Sequence, residues 1–332
     1  MKSNNVKKIK KIAVLTSGGD APGMNACIRA VVRTAIHEKL EIMGVYQGYQ
    51  GLIDDNFFAM NSRSVSSIIN LGGTILKSAR SEEFKTKEGR KKAYDNIKKH
   101  NIDGLISIGG DGTFTGANVL SNEYDIPVVC IPGTIDNDLY GTDFTLGYDT
   151  ANNTVIEAID KIRDTAASHD RLFFIEVMGR DAGYIALNAG VAGGAEAILL
   201  PEKETPIEEL TKLLEYAAEK NKTSTIVIVA EGEKNGGAYN VAKKVKEKFD
   251  FYDIKVSILG HLQRGGTPSS ADRILATKLG YNAVQEIIKG SAQCTVGIRG
   301  SKVVTTPLSD AIHNTEFKLD ADLMKIAKIM AM

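Results

Sequence analysis

The sequence predicts an α/β protein of doubly wound parallel sheets, arranged in two units, and three observations lead there. Short runs rich in β-branched residues alternate with segments of helical periodicity along the whole chain. The strand runs are continuously apolar, which suits strands covered by helices on both faces. The length, 332 residues, exceeds one ordinary domain core.

Lys11–Thr16 reads as the first strand, and Lys2, Lys7, Lys8 and Lys10 before it as a solvated basic lead-in. The apolar run that follows is too short for a signal-peptide core. Met24, Ile28, Val31, Val32, Ala35 and Ile36 recur on one face of a helix. Residues 104–108 and 126–131 are the next strands. Val155, Ile159, Ile162 and Ala166 line a second helix, and residues 172–177, 197–200, 225–230 and 256–259 are the strands of the later half.

Composition excludes several classes. Apolar residues at 43% and charged residues at 25% exclude wholesale disorder. Forty-one basic residues cancel forty-one acidic ones, which argues against nucleic acid or an anionic membrane as partner. No apolar stretch reaches the roughly 18 residues needed to cross a bilayer. Cys27, Cys130 and Cys294 are too few for a disulfide framework, so a reducing, cytoplasmic setting is expected. The 32 glycines call for a use, because glycine weakens element interiors.

That use lies in five polar motifs, nearly all just past the C-terminal end of a strand, the edge where open parallel sheets bind ligands. Residues 16–25, TSGGDAPGMN, follow the first strand, and their glycines let backbone N–H groups approach a phosphate. A tight strand-to-helix turn would need the same glycines. Residues 108–113, IGGDGT, surround one carboxylate with three glycines, a phosphate cradle with a built-in magnesium ligand or a turn whose Asp caps a helix. Residues 132–138, PGTIDND, carry carboxylates two apart, either a base for a hydroxyl with an electrostatic partner or solvated turn acids. Residues 178–183, MGRDAG, offer an arginine on a glycine turn for bidentate anion contact. Residues 260–266, GHLQRGG, join an imidazole, an amide and a cation, a set suited to a sugar phosphate.

This ordered set resembles the bacterial-type 6-phosphofructokinase family over nearly the whole chain. The resemblance implies two Rossmann-like domains with the active site in the cleft between them. Residues 9–146 with 264–315 would bind ATP, and 147–263 with 316–332 fructose 6-phosphate. It implies ATP-dependent phosphorylation of the sugar 1-hydroxyl in glycolysis, with Asp136 as base assisted by Thr134, Asp138 and Arg180. ATP contacts carry over to Gly19, Arg80, Ser81, Gly110, Asp111, Gly112 and Thr113, with Asp111 also holding Mg²⁺. Sugar-phosphate contacts carry over to Thr134, Ile135, Asp136, Met178, Gly179, Arg180, Glu231, His261, Leu262, Gln263 and Arg264. Arg171 and Lys255 would reach the phosphate across an interface of a homotetramer, and lysine at 255 replaces the family's arginine, losing the bidentate fork. An effector site for ADP or phosphoenolpyruvate carries over to Arg29, Ala30, Val31, Val32, Arg33, Arg163, Gly194, Ala195, Glu196, Lys220 and Lys222. There Ser62 and Ser67 replace an arginine and an aspartate, so blunted regulation is expected. Pyrophosphate-using members carry Asp at position 112 and Lys at 133; glycine at both implies ATP. Alternatives are an NAD-kinase-like phosphotransferase, which GGDGT alone would suit, and a non-catalytic sugar-phosphate sensor on the same scaffold.

Overall fold

A computed structural model describes residues 9–168, 171–220, 224–249, 251–290, 293–313 and 319–331. In chain order the elements begin with β1 (Lys11–Thr16), α1 (Met24–His37), β2 (Glu41–Val45), α2 (Gly48–Ile53) and β3 (Phe57–Ala59). Then come α3 (Lys87–Lys99), β4 (Gly104–Gly109), α4 (Asp111–Tyr124), β5 (Val128–Pro132) and α5 (Tyr148–Ala167). The next group is β6 (Arg171–Val177), α6 (Tyr184–Ala192), β7 (Ala197–Leu199), α7 (Ile207–Glu219), β8 (Ser224–Ala230), α8 (Gly237–Lys246) and β9 (Asp253–Ile258). The chain closes with α9 (Ser270–Ile288), β10 (Cys294–Arg299), β11 (Lys302–Pro307), α10 (Leu308–His313) and α11 (Ala321–Met330).

These elements fall into two units, Met1–Asp149 with Arg264–Thr315, and Thr150–Gln263 with Glu316–Met332. The first division lies past Asp149, three residues beyond the boundary expected from the sequence. Two hydrogen bonds account for the shift. The Gly147 N–H donates to Oδ1 of the buried Asp272 at 2.9 Å, and the Ser269 hydroxyl donates to Asp149 Oδ2 at 2.5 Å. Both partners belong to the start of α9, so residues 147–149 stay with the first unit.

The first unit holds a seven-stranded sheet in the order β11-β10-β5-β4-β1-β2-β3. Its interior pairs are parallel, whereas β3 and β11 lie antiparallel at the two edges. The parallel interior is the frame that the sequence predicts, and the edge strand β11 has a local cause: a two-residue turn with Gly300 at φ 59° returns the chain directly beside β10, and such a return can only be antiparallel. One face of the sheet is closed by Leu15, Val45, Leu52, Ile97, Leu105, Phe114, Leu120 and Val128. Fully burying side chains of this size stabilises by about 1.5–3 kcal/mol each.

The second unit holds a four-stranded, all-parallel sheet in the order β7-β8-β6-β9. Leu172 and Phe174 of β6, Val227 and Val229 of β8, Leu210 and Leu214 of α7 and Val241 of α8 form its core. Among the described residues no helix is long and apolar enough to cross a membrane.

Candidate active site

In the first unit, β1, β4 and β5 are neighbours, with Thr16 beside Ile108 and Gly109 beside Pro132. Three of the polar motifs therefore leave the same sheet edge side by side. Backbone bonds lock the loops together: Ser17 N–H donates to Ile108 O at 3.0 Å, and Gly133 N–H donates to Gly109 O at 2.9 Å. Thr113 Oγ1 donates to Ser17 O at 3.1 Å. A Cβ on Gly109 would lie 2.3 Å from Thr113 Oγ1 and 2.4 Å from Ser17 O, so no side chain fits there.

Gly110 is the N-cap of α4, and Asp111 and Gly112 open the helix with exposed faces. Around the Cβ direction of Gly112 nothing lies within 4 Å. The Cβ direction of Gly110 comes within 3.7 Å of Thr134 Cβ, so the Asp111 loop and the loop carrying Asp136 adjoin. Asp136 is 5% exposed and donates its N–H to Thr134 Oγ1 at 3.2 Å. The Thr145 hydroxyl donates to Thr134 O at 2.6 Å, and Asn137, at φ 55°, accepts the Thr145 N–H at 2.8 Å. In the DND string Asn137 is thus the loop's internal clip, with Asp136 and Asp138 on either side. Ile135 is 2% exposed, which leaves its backbone as the part able to meet a ligand.

Arg264 closes this cradle. Its Nη1 lies 3.0 Å from the Cβ direction of Gly19, which puts the guanidinium on the first glycine loop. From the sequence, Arg264 was grouped with sugar contacts alone. Ser81 donates to Gln50 Oε1 at 2.7 Å and accepts the Phe84 N–H at 3.1 Å, while Arg80 beside it is exposed. Tyr49, next to Gln50, stacks on Phe84 with centroids 4.2 Å apart and donates its hydroxyl to Thr113 O at 2.5 Å. Residues 49–50 of α2 thereby tie the Arg80–Ser81 segment to the first turn of α4. Sequence reasoning gave Tyr49 and Gln50 no role; no local pattern marks them. Asn25 was quoted only as part of its motif, and the structure shows its use. Its side chain donates to Leu71 O and Gly72 O and accepts the Ile75 N–H at 2.7 Å.

In the second unit the C-terminal ends of β8, β6 and β9 adjoin, with Val177 beside Ala230 and Glu176 beside Ile258. Gly179 has φ 145° and Arg180 φ 53°, a left-handed backbone that a non-glycine residue adopts rarely and holds only when its surroundings enforce it. The enforcing group is Glu231, whose Oε1 accepts the N–H groups of Gly179 at 3.2 Å and Arg180 at 2.7 Å. Gln263 holds the other side. Its Oε1 accepts the Met178 N–H at 3.2 Å, and its Nε2 donates to Gly260 O at 3.0 Å. Gln263 is 0% exposed. Its amide is engaged on both sides and ties the Met178 turn to the 260–263 segment. His261 and Leu262 stand exposed next to it.

Arg171 and Lys255 are not brought to this edge. Arg171 begins β6, and seven residues of strand put it about 20 Å from the Met178 end. Arg171 Nε and Lys255 Nζ pair with opposite oxygens of Asp253, at 3.1 and 3.0 Å. The Lys255 ammonium, with Arg171 assisting, holds the Asp253 carboxyl below the usual carboxylate range.

The residues matched to an effector site divide between the units. Arg29 and Arg33 face outward one turn apart on α1, whereas Ala30, Val31 and Val32 between them are buried and offer no side-chain surface to a ligand. In the second unit, Arg163 Nη2 donates to Gly193 O at 2.6 Å and Gly194 O at 2.8 Å. Glu196 Oε2 accepts the Ile226 N–H at 2.7 Å, Ala195 is buried, and Lys220 caps α7 over the Tyr216 ring. Lys222 lies outside the described residues. Ser62 is exposed, and Ser67 adopts φ 56°.

Comparison with known proteins agrees across the chain. The family model described as Phosphofructokinase matches residues 11–287. The ATP-dependent 6-phosphofructokinase 2 of Bacteroides thetaiotaomicron is 53% identical over 320 residues, covering 96% of this chain and 98% of that one. The ATP-dependent 6-phosphofructokinase 1 of Thermus thermophilus is 50% identical, covering 98% and 100%. Among solved structures, phosphofructokinase from Saccharomyces cerevisiae superposes with a TM-score of 0.87 at 38% identity, over 91% of this chain. This chain spans only 45% of that yeast chain. A pyrophosphate-dependent phosphofructokinase from Marinobacter aquaeolei, at 22% identity and TM-score 0.83 over 97% and 92%, shares the fold. The NAD-kinase-like alternative loses its support, and by its sequence and its fold the chain belongs to the phosphofructokinase family.

Proposed function

We propose that this enzyme transfers the γ-phosphoryl group of ATP to the 1-hydroxyl of D-fructose 6-phosphate, giving fructose 1,6-bisphosphate and ADP, the committed step of glycolysis. One observation carries the reading: the carboxylate loop of Asp136 and the glycine cradle of Asp111 leave adjacent strands of one sheet edge. That arrangement suits a base and a triphosphate serving one transfer.

Asp136 accepts the proton of the 1-hydroxyl as its oxygen attacks the γ-phosphorus, and the bond to the β-phosphate oxygen breaks toward ADP. Proximity to the hydroxyl matters more for such a base than a raised pKa. Thr134 orients the Asp136 loop through its hydroxyl, and Asp138 adds an electrostatic partner. Phosphoryl transfer depends mostly on positioning and charge stabilisation, the work of Arg80, Arg180 and the backbone of Gly110 to Thr113. Arg264, lying against Gly19, adds a cation on the nucleotide side.

Asp111 fits a magnesium ligand. It is one exposed carboxylate between two glycines, with open space beside Gly112, and Mg²⁺ takes one or two carboxylates plus phosphate oxygens. Among the described residues no cluster of three His, Cys, Asp or Glu side chains competes for a metal. Mg²⁺ bound there would neutralise phosphate charge.

On the sugar side, Met178, Gly179, Arg180, Glu231, His261 and Leu262 form the substrate edge of the second unit, and Thr134, Ile135 and Asp136 are the sugar contacts within the first. In a homotetramer, Arg171 and Lys255 serve the 6-phosphate of a neighbouring subunit, and Asp253 holds the two cations together in its absence. Lysine lacks arginine's fork, so Lys255→Arg is expected to lower KM for fructose 6-phosphate by about threefold, a gain of roughly 0.7 kcal/mol; initial-rate kinetics check it. The enzyme works in the cytoplasm, with ADP or phosphoenolpyruvate as a blunted effector at Arg29, Arg33, Arg163 and the 194–196 turn.

A coupled assay tests the reading. Fructose 6-phosphate with ATP and Mg²⁺ should turn over, pyrophosphate should not replace ATP, chelation of the metal should stop the reaction, and ADP or phosphoenolpyruvate should shift the sugar saturation curve. No turnover with ATP would overturn the proposed reaction.

A further inference from the structure

Glu233 belongs to none of the sequence motifs, yet it is 6% exposed. A carboxylate taken from water is costly unless hydrogen bonds replace its hydration. Here both oxygens are used. Oε2 accepts the Asn235 N–H at 2.7 Å, and Oε1 accepts the Gly237 N–H at 2.8 Å. Gly237 opens α8, so the charge also sits at the positive end of a helix dipole. Glu233 donates its own N–H to Ala230 O at 3.0 Å, which closes the turn over residues 230–233.

This turn is in tight contact with the substrate edge. A Cβ on Gly232 would come 2.1 Å from Arg180 O, so residues 231–233 lie flat against the Arg180 peptide. On that same segment, Glu231 Oε1 holds the N–H groups of Gly179 and Arg180. Farther along, Glu176 Oε2 of β6 accepts the Ala238 N–H at 2.8 Å, anchoring the start of α8 to the strand that leads into Met178. The loop is thus fastened at both ends, and Glu233 is the fastening between them.

We propose that Glu233 is a positioning residue for the sugar-phosphate half of the reaction. Its buried carboxylate clamps the 231–237 loop onto α8, sets the height of Glu231, and through Glu231 keeps the Gly179–Arg180 turn in its left-handed form. The proposal rests on the phosphofructokinase reaction stated above. A group that only stabilises the fold would lower thermal stability and leave the substrates equally affected. A positioning group changes one substrate's KM selectively, because the nucleotide loops leave a different sheet.

The test is Glu233→Gln in the full-length protein, which puts an NH₂ group against one of two backbone donors. KM for fructose 6-phosphate should rise about tenfold, with kcat and KM for ATP each within about twofold of the parent. Glu233→Asp, which keeps the charge but shortens the reach by one methylene, should give a smaller shift in the same direction. Equal KM values for fructose 6-phosphate in parent and Glu233→Gln would overturn the proposal, as would parallel changes for both substrates. Failure of both variants to fold would assign the residue to stability and overturn it too. An inactive parent enzyme would instead overturn the underlying reaction, so the two failures are distinguishable.

Discussion

Asp136→Ser is expected to lower kcat by about three orders of magnitude, within the range that positioned acid–base groups contribute. The substitution removes the proton acceptor while leaving the Thr134 hydroxyl that braces the loop and the Thr145 bond to Thr134 O. Fructose 6-phosphate binding, followed by calorimetry, should stay within about threefold of the parent, since the contacts proposed at Met178, Arg180 and Glu231 are untouched. A variant that keeps more than a tenth of the parental kcat would remove Asp136 from the role of base. A parent protein that binds the sugar phosphate without turnover would point to the sensor alternative.

The second large effect is expected from Gly112→Asp. Because nothing lies within 4 Å of the Cβ direction at Gly112, the variant should fold and melt at the parental temperature. In the proposed reaction its carboxylate would stand beside the nucleotide phosphates, at the mouth of the cradle formed by Gly110 to Thr113. Two like charges about 6 Å apart repel by roughly 2–3 kcal/mol at an effective permittivity near 20. KM for ATP should therefore rise about 30-fold or more, with KM for fructose 6-phosphate little changed. Unchanged ATP kinetics in a folded variant would mean that the phosphates lie elsewhere. The same substitution at Gly109 is predicted to unfold the loop, because Thr113 Oγ1 and Ser17 O occupy that space. Neighbouring glycines in one motif thus serve opposite ends, one packing and one clearance.

Strand and helix alternation was legible wherever a strand was both buried and apolar. Lys11–Thr16, Gly104–Gly109, Arg171–Val177 and Ser224–Ala230 lie close to where periodicity put them. Four strands escaped it. β11 is an edge strand of exposed and half-exposed residues with only two consecutive apolar ones at Val303 and Val304, and β3 has only three residues; β2 is interrupted by Gly44, and the apolar run of β10 by Gly297. A continuous apolar run of strand length marks burial on two faces, and none of these four provides one.

At the site, residue type was legible but division of labour was not. Glycine beside a carboxylate after a strand announces phosphate chemistry because backbone approach and charge are local properties. That Gln263 ties the Met178 N–H to the Gly260 carbonyl was not legible, because Met178 lies 85 positions away along the chain. Arg264 beside Gly19 is a contact across 245 positions of chain, invisible to any local pattern. Glu233 had one local hint, a second glutamate two residues after Glu231 and before paired glycines, which is too common a string to carry meaning.

What the amino-acid order by itself determined was the chemistry at hand: five loops with the right donors, acceptors and clearances, each placed after a strand by short-range periodicity. Tertiary structure decided which side chains hold other loops in place. Hydrogen bonds from the Arg180 N–H to Glu231 and from the Met178 N–H to Gln263 join loops that follow different strands, and strand order in a sheet arises only when the whole chain packs.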